Sequence, residues 1–249
     1  MTIWRNDSGT MELRLGKWQD VLADVTECGA VITDPPYTQR TERGFRTCGV
    51  RVGGRSKGNA NTIVGMGYDP IDQEYCKYLV SYWTEKTAGW LLFFCDHISF
   101  RWWESAIGDV GRYVFPPVIW VKKGAAPRMS CDGPASQCEY IAVGRPREKR
   151  FLSWGALPGW YIDNAVSHGR EWNGISGAKP LKLMRNIIND YTRPNDLIID
   201  LHVGGGTTLL AAAIEGRRAI GAECDPETFE KAVKRLSRGY TPSMLDMME

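Results

Sequence analysis

Short, uninterrupted apolar runs alternate with helical patterns along this 249-residue chain. The clearest runs cover residues 29–33, 90–95, 118–121 and 196–201. Strands that are apolar on both faces are typical of a parallel sheet with helices on both sides. The alternation therefore predicts βαβ units and, with them, an α/β fold.

Helical patterns occupy the intervals between these runs. We predict helices over residues 71–86, 180–191, 207–215 and 227–236. In the second of these, apolar residues recur at helical spacing, and Pro180 stands at its start, where proline is favoured because no N–H is needed there.

Two segments interrupt this alternation. Residues 38–68 are rich in Gly and Arg, which predicts a long mobile loop that could order on a ligand. Residues 122–178 are irregular, basic and aromatic. The net charge is only +2, but residues 40–58 carry six basic side chains against one acid, and residues 112–185 carry twelve against five. This distribution favours a polyanion-binding face over a solvated surface that merely has uneven charge.

The cysteine and histidine content argues against several classes of protein. The seven cysteines include no Cys-x-x-Cys pair, and the three histidines are not at metal-ligand spacing. A reduced cytoplasmic protein without structural zinc is therefore expected. The longest apolar run, residues 90–95, is too short to cross a bilayer, and the first residues lack the apolar run of a signal peptide, so no membrane contact is expected.

A glycine turn follows the run at residues 196–201. The segment from Asp200 to Thr208 reads DLHVGGGTT, and its glycines allow a ligand to approach the backbone beside an electropositive helix N-terminus. The next strand ends at Glu223, where a carboxylate could accept hydrogen bonds from ribose hydroxyls. Leu209 replaces the third glycine of the dinucleotide motif, which disfavours nicotinamide cofactors. A different nucleoside-containing cofactor is therefore expected.

The tetrapeptide Asp34-Pro35-Pro36-Tyr37 follows the first apolar run. Its prolines remove two N–H donors, so the Pro35 carbonyl and the Asp34 carboxylate are left as acceptors at the end of a strand, beside the ring of Tyr37. Two acceptors and a ring suit the exocyclic amino group of a flat base. Accepting both amino hydrogens would leave the nitrogen lone pair free to attack an electrophilic methyl group. The alternative interpretation is a proline-stiffened turn with no further role.

Together, these two motifs resemble those of the permuted, β-class, S-adenosylmethionine-dependent DNA amino-methyltransferases. The resemblance covers most of the chain. Its matching segments are residues 13–37 at the front and residues 177–236 at the back. The tetrapeptide precedes the glycine turn by about 170 residues, the reverse of the order in unpermuted protein and ribosomal-RNA methyltransferases. The resemblance implies a circularly permuted Rossmann-like methyltransferase fold, with a mostly parallel seven-stranded sheet and helices on both faces.

The resemblance also implies how the chain is divided. Residues 1–121 and 179–249 would form the catalytic and cofactor-binding core, and residues 122–178 a small inserted target-recognition region. The implied partner is double-stranded DNA, in the cytoplasm of a bacterial or phage-infected cell. Because the family often forms pairs, Trp102 and Trp103 are interpreted either as core residues or as part of a homodimer face.

Roles are transferred only to residues that match the family motifs. Asp34, Pro35, Pro36 and Tyr37 would hold and stack a flipped base. The candidates for DNA phosphate contacts rest on charge and position, not on a family motif. They are the arginines just after the tetrapeptide and two lysines of the inserted region: Arg40, Arg43, Arg46, Lys122 and Lys123.

The cofactor-binding residues are implied in the same way. Lys179 and Ser176 would hold the methionine carboxylate, and Asp200 would lie near the methionyl amino group. The glycine turn and the acid after it would surround the rest of the cofactor: Gly204, Gly206, Thr207 and Glu223. His202 belongs to the same set, although the family usually has Phe at this position.

The first residue of the tetrapeptide favours adenine N6 as the target, because the cytosine-N4 enzymes usually have Ser where this chain has Asp34. Cytosine N4 remains the alternative, and RNA is a third, weaker candidate substrate. We expect direct in-line methyl transfer without a covalent enzyme intermediate. A catalytically inactive DNA-binding relative is the competing class, and the presence of Asp34, Tyr37, Lys179, Asp200 and Glu223 argues against it.

Overall fold

The computed structural model describes residues 1–38, 70–125, 127, 132–164 and 178–239, and within them a ten-stranded mixed sheet. The strands, in chain order, are β1 (Thr2–Arg5), β2 (Met11–Leu15), β3 (Cys28–Thr33), β4 (Thr87–Cys95), β5 (Tyr113–Val114), β6 (Val118–Lys123), β7 (Cys138–Arg145), β8 (Trp160–Asn164), β9 (Leu197–Asp200) and β10 (Arg218–Glu223).

Six α-helices accompany the sheet in the described part of the chain, together with a 3-10 helix at Lys149–Ser153. They are α1 (Trp18–Val21), α2 (Gln73–Thr84), α3 (Phe100–Asp109), α4 (Leu181–Tyr191), α5 (Thr207–Ile214) and α6 (Pro226–Arg238). The four helices predicted from the sequence are present, with ends that differ by up to two residues. None of the described helices is long and apolar enough to cross a membrane.

The strand order is β1-β2-β10-β9-β3-β4-β7-β6-β8, with β5 paired to β7. The five neighbours from β2 to β4 are parallel, so the carboxyl ends of β2, β10, β9, β3 and β4 meet at one edge of the sheet. Strand β7 is antiparallel to β4, and its first residues therefore reach the same edge.

The expectation of seven strands is wrong, because the described residues alone form a sheet of ten. Strand β1 pairs with β2 as a hairpin at one edge, β8 adds to β6 at the other, and β5 is a two-residue pairing on β7. The edge of an open sheet offers unpaired N–H and C=O groups to further segments of chain. Strands β7 and β8 both come from the predicted insertion, so its described part joins the same sheet; its role in target recognition stays a prediction.

The continuous apolar runs are explained by cores on both faces of the sheet. In β3, Ala30 and Ile32 pack on one face and Val31 on the other, and β4 alternates in the same way. Helices α4, α5 and α6 contribute to the first core, and α1, α2 and α3 to the second. Phe93 of β4 stacks on Trp103 with ring centroids 4.3 Å apart, so Trp103 is a core residue.

Candidate active site

Polar side chains converge at the sheet edge where the parallel strands end. They lie directly after β3 and β4, on the last residues of β9 and β10, and near the start of β7: Asp34, Asp96, Asp200, Glu223 and Glu139. Carboxyl ends of parallel strands are the usual ligand-binding edge of an open α/β sheet. The tetrapeptide and the glycine turn, although distant in sequence, therefore lie at the same edge.

A direct hydrogen bond joins the two motifs. Strands β3 and β9 are neighbours, and Thr33, the last residue of β3, donates its hydroxyl to Asp200 Oδ1 at 2.8 Å. The backbone N–H of Leu201 donates to the same Thr33 hydroxyl at 3.2 Å. The end of the strand before Asp34 is thus fixed to the start of the glycine turn.

Lys179 lies at the centre of a buried cluster of charged side chains. Its ammonium group, on a residue that is 7% exposed, donates to Asp34 Oδ2 and to the Tyr37 hydroxyl at 3.1 Å, and lies 3.2 Å from Glu139 Oε2. The Tyr37 hydroxyl donates to Glu139 Oε2 at 2.6 Å. An ammonium group has three hydrogens to donate, and here three oxygens surround it.

Burial and neighbouring charges set the protonation states of this cluster. Burial raises the pKa of Glu139, but Lys179 and Lys122 outweigh it and hold that pKa at about 2. Burial lowers the pKa of Lys179, but Asp34 and Glu139 raise it more. Burial also raises the pKa of Tyr37, with Asp34 and Glu139 adding to the effect. At neutral pH the cluster therefore contains an ionised Glu139, a charged Lys179 and a neutral Tyr37 hydroxyl.

The two carboxylate oxygens of Asp34 differ in their hydrogen bonding. Its Oδ2 accepts from Lys179, whereas its Oδ1 is buried and has no hydrogen-bond partner among the described residues. Burial raises the pKa of Asp34, Lys179 lowers it, and the charge of Glu139 raises it further, with a net upward shift. A buried oxygen without a donor costs about 1–3 kcal/mol, so this acceptor is the natural place for a donor supplied by a ligand.

Asp96 anchors the chain immediately after the tetrapeptide. The hydroxyl of Thr38 donates to Asp96 Oδ2 at 2.6 Å, and the N–H of Ser99 donates to Asp96 Oδ1 at 2.7 Å. Sequence reasoning missed Asp96, although it follows the apolar run of β4 in the same way that Asp34 follows β3. Glu139 was also missed, because it lies in a segment that was interpreted as irregular.

The glycine turn has the left-handed backbone that glycine favours, with φ +50° at Gly204 and +79° at Gly206. Of the residues that the structure describes, none would lie within 4 Å of a Cβ atom at Gly204, whereas a Cβ atom at Gly206 would meet Leu236 at 3.2 Å. The N–H of Gly204 donates to Glu223 Oε2 at 2.9 Å, which ties the turn to the end of β10. Open space above a glycine backbone allows a ligand to approach closely.

The opposite side of the turn is held by α6. Arg235 donates to the carbonyl of Gly205 and, at 3.0 Å, to the hydroxyl of Thr207, the first residue of α5. Asp200, at the start of the turn, is 2% exposed, and burial raises its pKa to about 6. The backbone of the turn is therefore fixed by side chains from two other elements.

The remaining predicted residues are divided between described and undescribed parts of the chain. The ammonium group of Lys122 lies 2.5 Å from Glu139 Oε1, and its side chain is 17% exposed, so a phosphate contact would compete with this ion pair. Lys123 is exposed at the end of β6. The other predicted contacts lie outside the described residues: Arg40, Arg43, Arg46 and Ser176. The loop expected at residues 38–68 lies outside them too, apart from Thr38.

The fold and the site together define a Rossmann-like α/β protein. One edge of its sheet carries a glycine turn of the kind that binds a nucleoside and, beside it, a second site that is rich in hydrogen-bond acceptors. The family model described as "DNA methylase", of the N6 and N4 methyltransferases, matches residues 29–234. The chain belongs to this family of S-adenosylmethionine-dependent DNA methyltransferases. The motif order along the chain is consistent with the permuted class.

Individual relatives agree with this assignment. The Type II methyltransferase M.XycI of Xanthomonas campestris pv. cyanopsidis is 31% identical over 140 residues, which is 53% of this chain and 47% of that protein. The chain thus spans about half the length of the first curated relatives that it matches. Two solved structures share the fold. The M1.HpyAVI-SAM complex has a TM-score of 0.65 and 22% identity, and covers 91% of this chain and 98% of its own. The cytosine-N4-specific PvuII DNA methyltransferase has a TM-score of 0.64 and 18% identity, and covers 91% and 86%.

Proposed function

We propose that this chain transfers a methyl group from S-adenosylmethionine to the N6 amino group of a flipped adenine in double-stranded DNA. The observation that carries the proposal is the buried Oδ1 of Asp34, which has no hydrogen-bond partner within the part of the chain that the structure describes. Asp34 follows Thr33, and the Thr33 hydroxyl donates to Asp200 at 2.8 Å. An acceptor that awaits a hydrogen therefore lies beside the turn where the cofactor would bind.

The residues at the edge fit S-adenosylmethionine. The open space above Gly204 can admit a ligand, Asp200 offers a carboxylate for the amino group, and Lys179 offers a positive charge for the carboxylate. Glu223, fixed beside Gly204, lies where the ribose is expected. The cofactor supplies a methyl group on a positively charged sulfur, which is a good leaving group.

The residues of the tetrapeptide would orient the amino group. Asp34 Oδ1 would accept one amino hydrogen and the Pro35 carbonyl the other, which directs the nitrogen lone pair towards the cofactor side of the site. The ring of Tyr37, held through its hydroxyl by Glu139, would support the base, and such stacking contributes about 1–3 kcal/mol per base. Holding two reactants in line can lower a barrier by roughly 7–11 kcal/mol, so positioning can supply most of the rate.

Cytosine N4 is the second candidate target. The structure of a cytosine-N4-specific methyltransferase has nearly the same TM-score, 0.64, as the M1.HpyAVI complex, 0.65. Both target bases present an exocyclic amino group on a flat ring, so the geometry of Asp34 suits either. The Asp at the first position of the tetrapeptide favours adenine.

The curated relatives named as Type II methyltransferases support a role in DNA modification alongside a restriction enzyme, in a bacterial or phage-infected cytoplasm. The double-stranded DNA would be held by the basic segments at residues 40–58 and 112–185, with Lys123 and Arg40 among the proposed phosphate contacts. A homodimer and a target-recognition role for residues 122–178 belong to the same proposal. A catalytically inactive DNA-binding relative is the opposing outcome.

Asp34→Ala tests the function. We expect no methyl transfer from tritiated cofactor to duplex DNA, with cofactor affinity within about 3-fold of the unmodified chain, because the acceptor is lost while the glycine turn stays intact. Asp7→Ala is the matched control and should keep full activity. Asp7 lies in the turn between β1 and β2, at the end of the sheet away from the carboxyl ends of the parallel strands. Mass spectrometry of the digested product would show N6-methyladenine; retained turnover in Asp34→Ala would refute the role of this carboxylate, and N4-methylcytosine would establish the second candidate.

A further inference from the structure

His202 is hydrogen-bonded through both nitrogens of its ring. Nδ1 lies 3.1 Å from the hydroxyl of Thr33, and Nε2 lies 2.7 Å from the hydroxyl of Tyr75 on α2. The indole N–H of Trp18 donates to the same Tyr75 hydroxyl at 3.0 Å. A chain of hydrogen bonds thus runs from α1 through α2 and the glycine turn to the end of β3.

The donor and the acceptor of each hydrogen bond in this series can be assigned by starting from Asp200, to which Thr33 is bonded. The ionised carboxylate of Asp200 can only accept, so the Thr33 hydroxyl must donate to it. The Thr33 oxygen then accepts from the N–H of Leu201 and from the His202 ring, which uses both of its lone pairs. His202 must therefore carry its hydrogen on Nδ1.

The other end of the chain is consistent with this assignment. Burial lowers the pKa of His202 to about 3, so the ring is neutral and Nε2 carries no hydrogen when Nδ1 does. Tyr75 must then donate its hydroxyl hydrogen to Nε2, and its oxygen is left to accept from Trp18. Each donor meets one acceptor, and only one tautomer of the ring satisfies them all.

We propose that His202 is a positioning residue for the cofactor: its Nδ1–H directs the Thr33 hydroxyl onto Asp200 and so fixes the carboxylate that faces the cofactor's amino group. The ring of His202 then acts on the cofactor through Thr33 and Asp200. It is not itself a polar ligand of the cofactor, because both ring nitrogens are already hydrogen-bonded. This inference rests on the proposed cofactor site, but it does not depend on which base is methylated. The reverse tautomer would place two acceptors, His202 Nδ1 and Asp200 Oδ1, against the one hydroxyl hydrogen of Thr33. Asp200 could then lose this donor, while the backbone N–H of His202 still donates to Asp200 Oδ1 at 3.1 Å.

The two halves of the ring can be tested separately. His202→Asn keeps a donor at the position of Nδ1 but lacks Nε2, whereas His202→Gln reaches towards Tyr75 but is one bond too long to replace Nδ1. Titration calorimetry with S-adenosylmethionine should give an affinity for His202→Asn within about 3-fold of the unmodified chain. His202→Gln and His202→Phe should bind about 5- to 30-fold more weakly, the effect of one or two lost buried hydrogen bonds.

A double-mutant cycle separates positioning from a purely structural role. Tyr75→Phe should weaken cofactor binding when His202 is present, because the ring is then free to change tautomer, and should have no effect in the His202→Asn background. Tyr78→Phe, on a half-exposed tyrosine of the same helix, is the control and should change nothing. Thermal unfolding without cofactor shows that each variant is folded.

Two results would overturn the proposal: equal affinities for His202→Asn and His202→Gln, or the same effect of Tyr75→Phe in both backgrounds. Should His202→Phe fail to fold, the Asn and Gln variants still decide the question. An unmodified chain with no affinity for the cofactor would instead overturn the proposed function together with this inference, so the two failures are distinguishable.

Discussion

Glu139 receives hydrogen bonds or charge from three other side chains at the candidate site. Its Oε2 accepts from Tyr37 and faces Lys179, and its Oε1 pairs with Lys122. No local pattern in the sequence indicated it, because a single Glu at the start of a strand has no signature of its own. The tetrapeptide was recognisable because its chemistry is contained in four consecutive residues, whereas Glu139 acquires its partners only when β7 lies beside β4.

Glu139→Gln is therefore expected to reduce turnover without weakening cofactor binding. Without the second carboxylate, Lys179 pairs with Asp34 alone and Tyr37 loses a charged acceptor, which should lower kcat about 10- to 100-fold. Cofactor affinity should be unchanged or higher, because one negative charge near the expected site of the methionine carboxylate has been removed. Steady-state kinetics and calorimetry measure the two effects separately.

Glu148→Gln makes the same chemical change beyond the far end of β7 and should keep full activity. A Glu139→Gln enzyme with normal kcat would show that this carboxylate has no part in positioning Tyr37 or Lys179.

Among the elements of the site, the junction of β9, β10 and the glycine turn is tightly packed. Gly221 of β10 pairs with Asp200 of β9, and a Cβ atom at Gly221 would meet Val203 at 2.2 Å and Leu209 at 3.0 Å. Gly221 lies in a segment that matches the family, but the sequence does not show why a glycine is needed there. The constraint comes from Val203 of the glycine turn and Leu209 of α5, not from the backbone of Gly221 itself.

Gly221→Ala should destabilise the protein by about 1–3 kcal/mol, because Val203 at the turn must move to admit the methyl group. The same shift should weaken cofactor binding. Chemical denaturation measures the free energy of unfolding. Gly159→Ala, where a Cβ atom would have no described neighbour within 4 Å, is the control, and its free energy of unfolding should stay within about 0.5 kcal/mol of the unmodified chain. A fully stable Gly221→Ala would show that the junction tolerates repacking.

At the scale of the whole molecule, the buried carboxylates make stability depend on pH. The pKa of Asp200 rises on folding from 3.8 to about 6, so the folded state binds a proton that the unfolded chain has released. The contribution of Asp200 to the free energy of unfolding is therefore fully present below pH 4 and is lost as the pH rises to about 6. Other groups contribute their own slopes, so the effect must be measured as a difference.

Asp200→Asn should remove this contribution, because the amide mimics the protonated carboxyl group. The stability of the variant relative to the unmodified chain should increase between pH 4 and 6, by up to about 3 kcal/mol, and then stay constant. Urea unfolding at a series of pH values measures it. A difference that does not vary with pH would contradict the raised pKa. Cofactor affinity should fall in the variant even as stability rises.

The amino-acid sequence was sufficient to identify the α/β class, most of the central strands and helices, the tetrapeptide and the glycine turn, because each depends on residues close together in the chain. Local periodicity and backbone restriction are sufficient to specify such features. Three features became evident only once the chain was folded: the sheet of the described residues has ten strands rather than seven, Thr33 bonds Asp200, and Glu139 and Asp96 belong to the candidate site. These features depend on which strands become neighbours, and the pairing of distant segments is fixed by packing across the whole sheet.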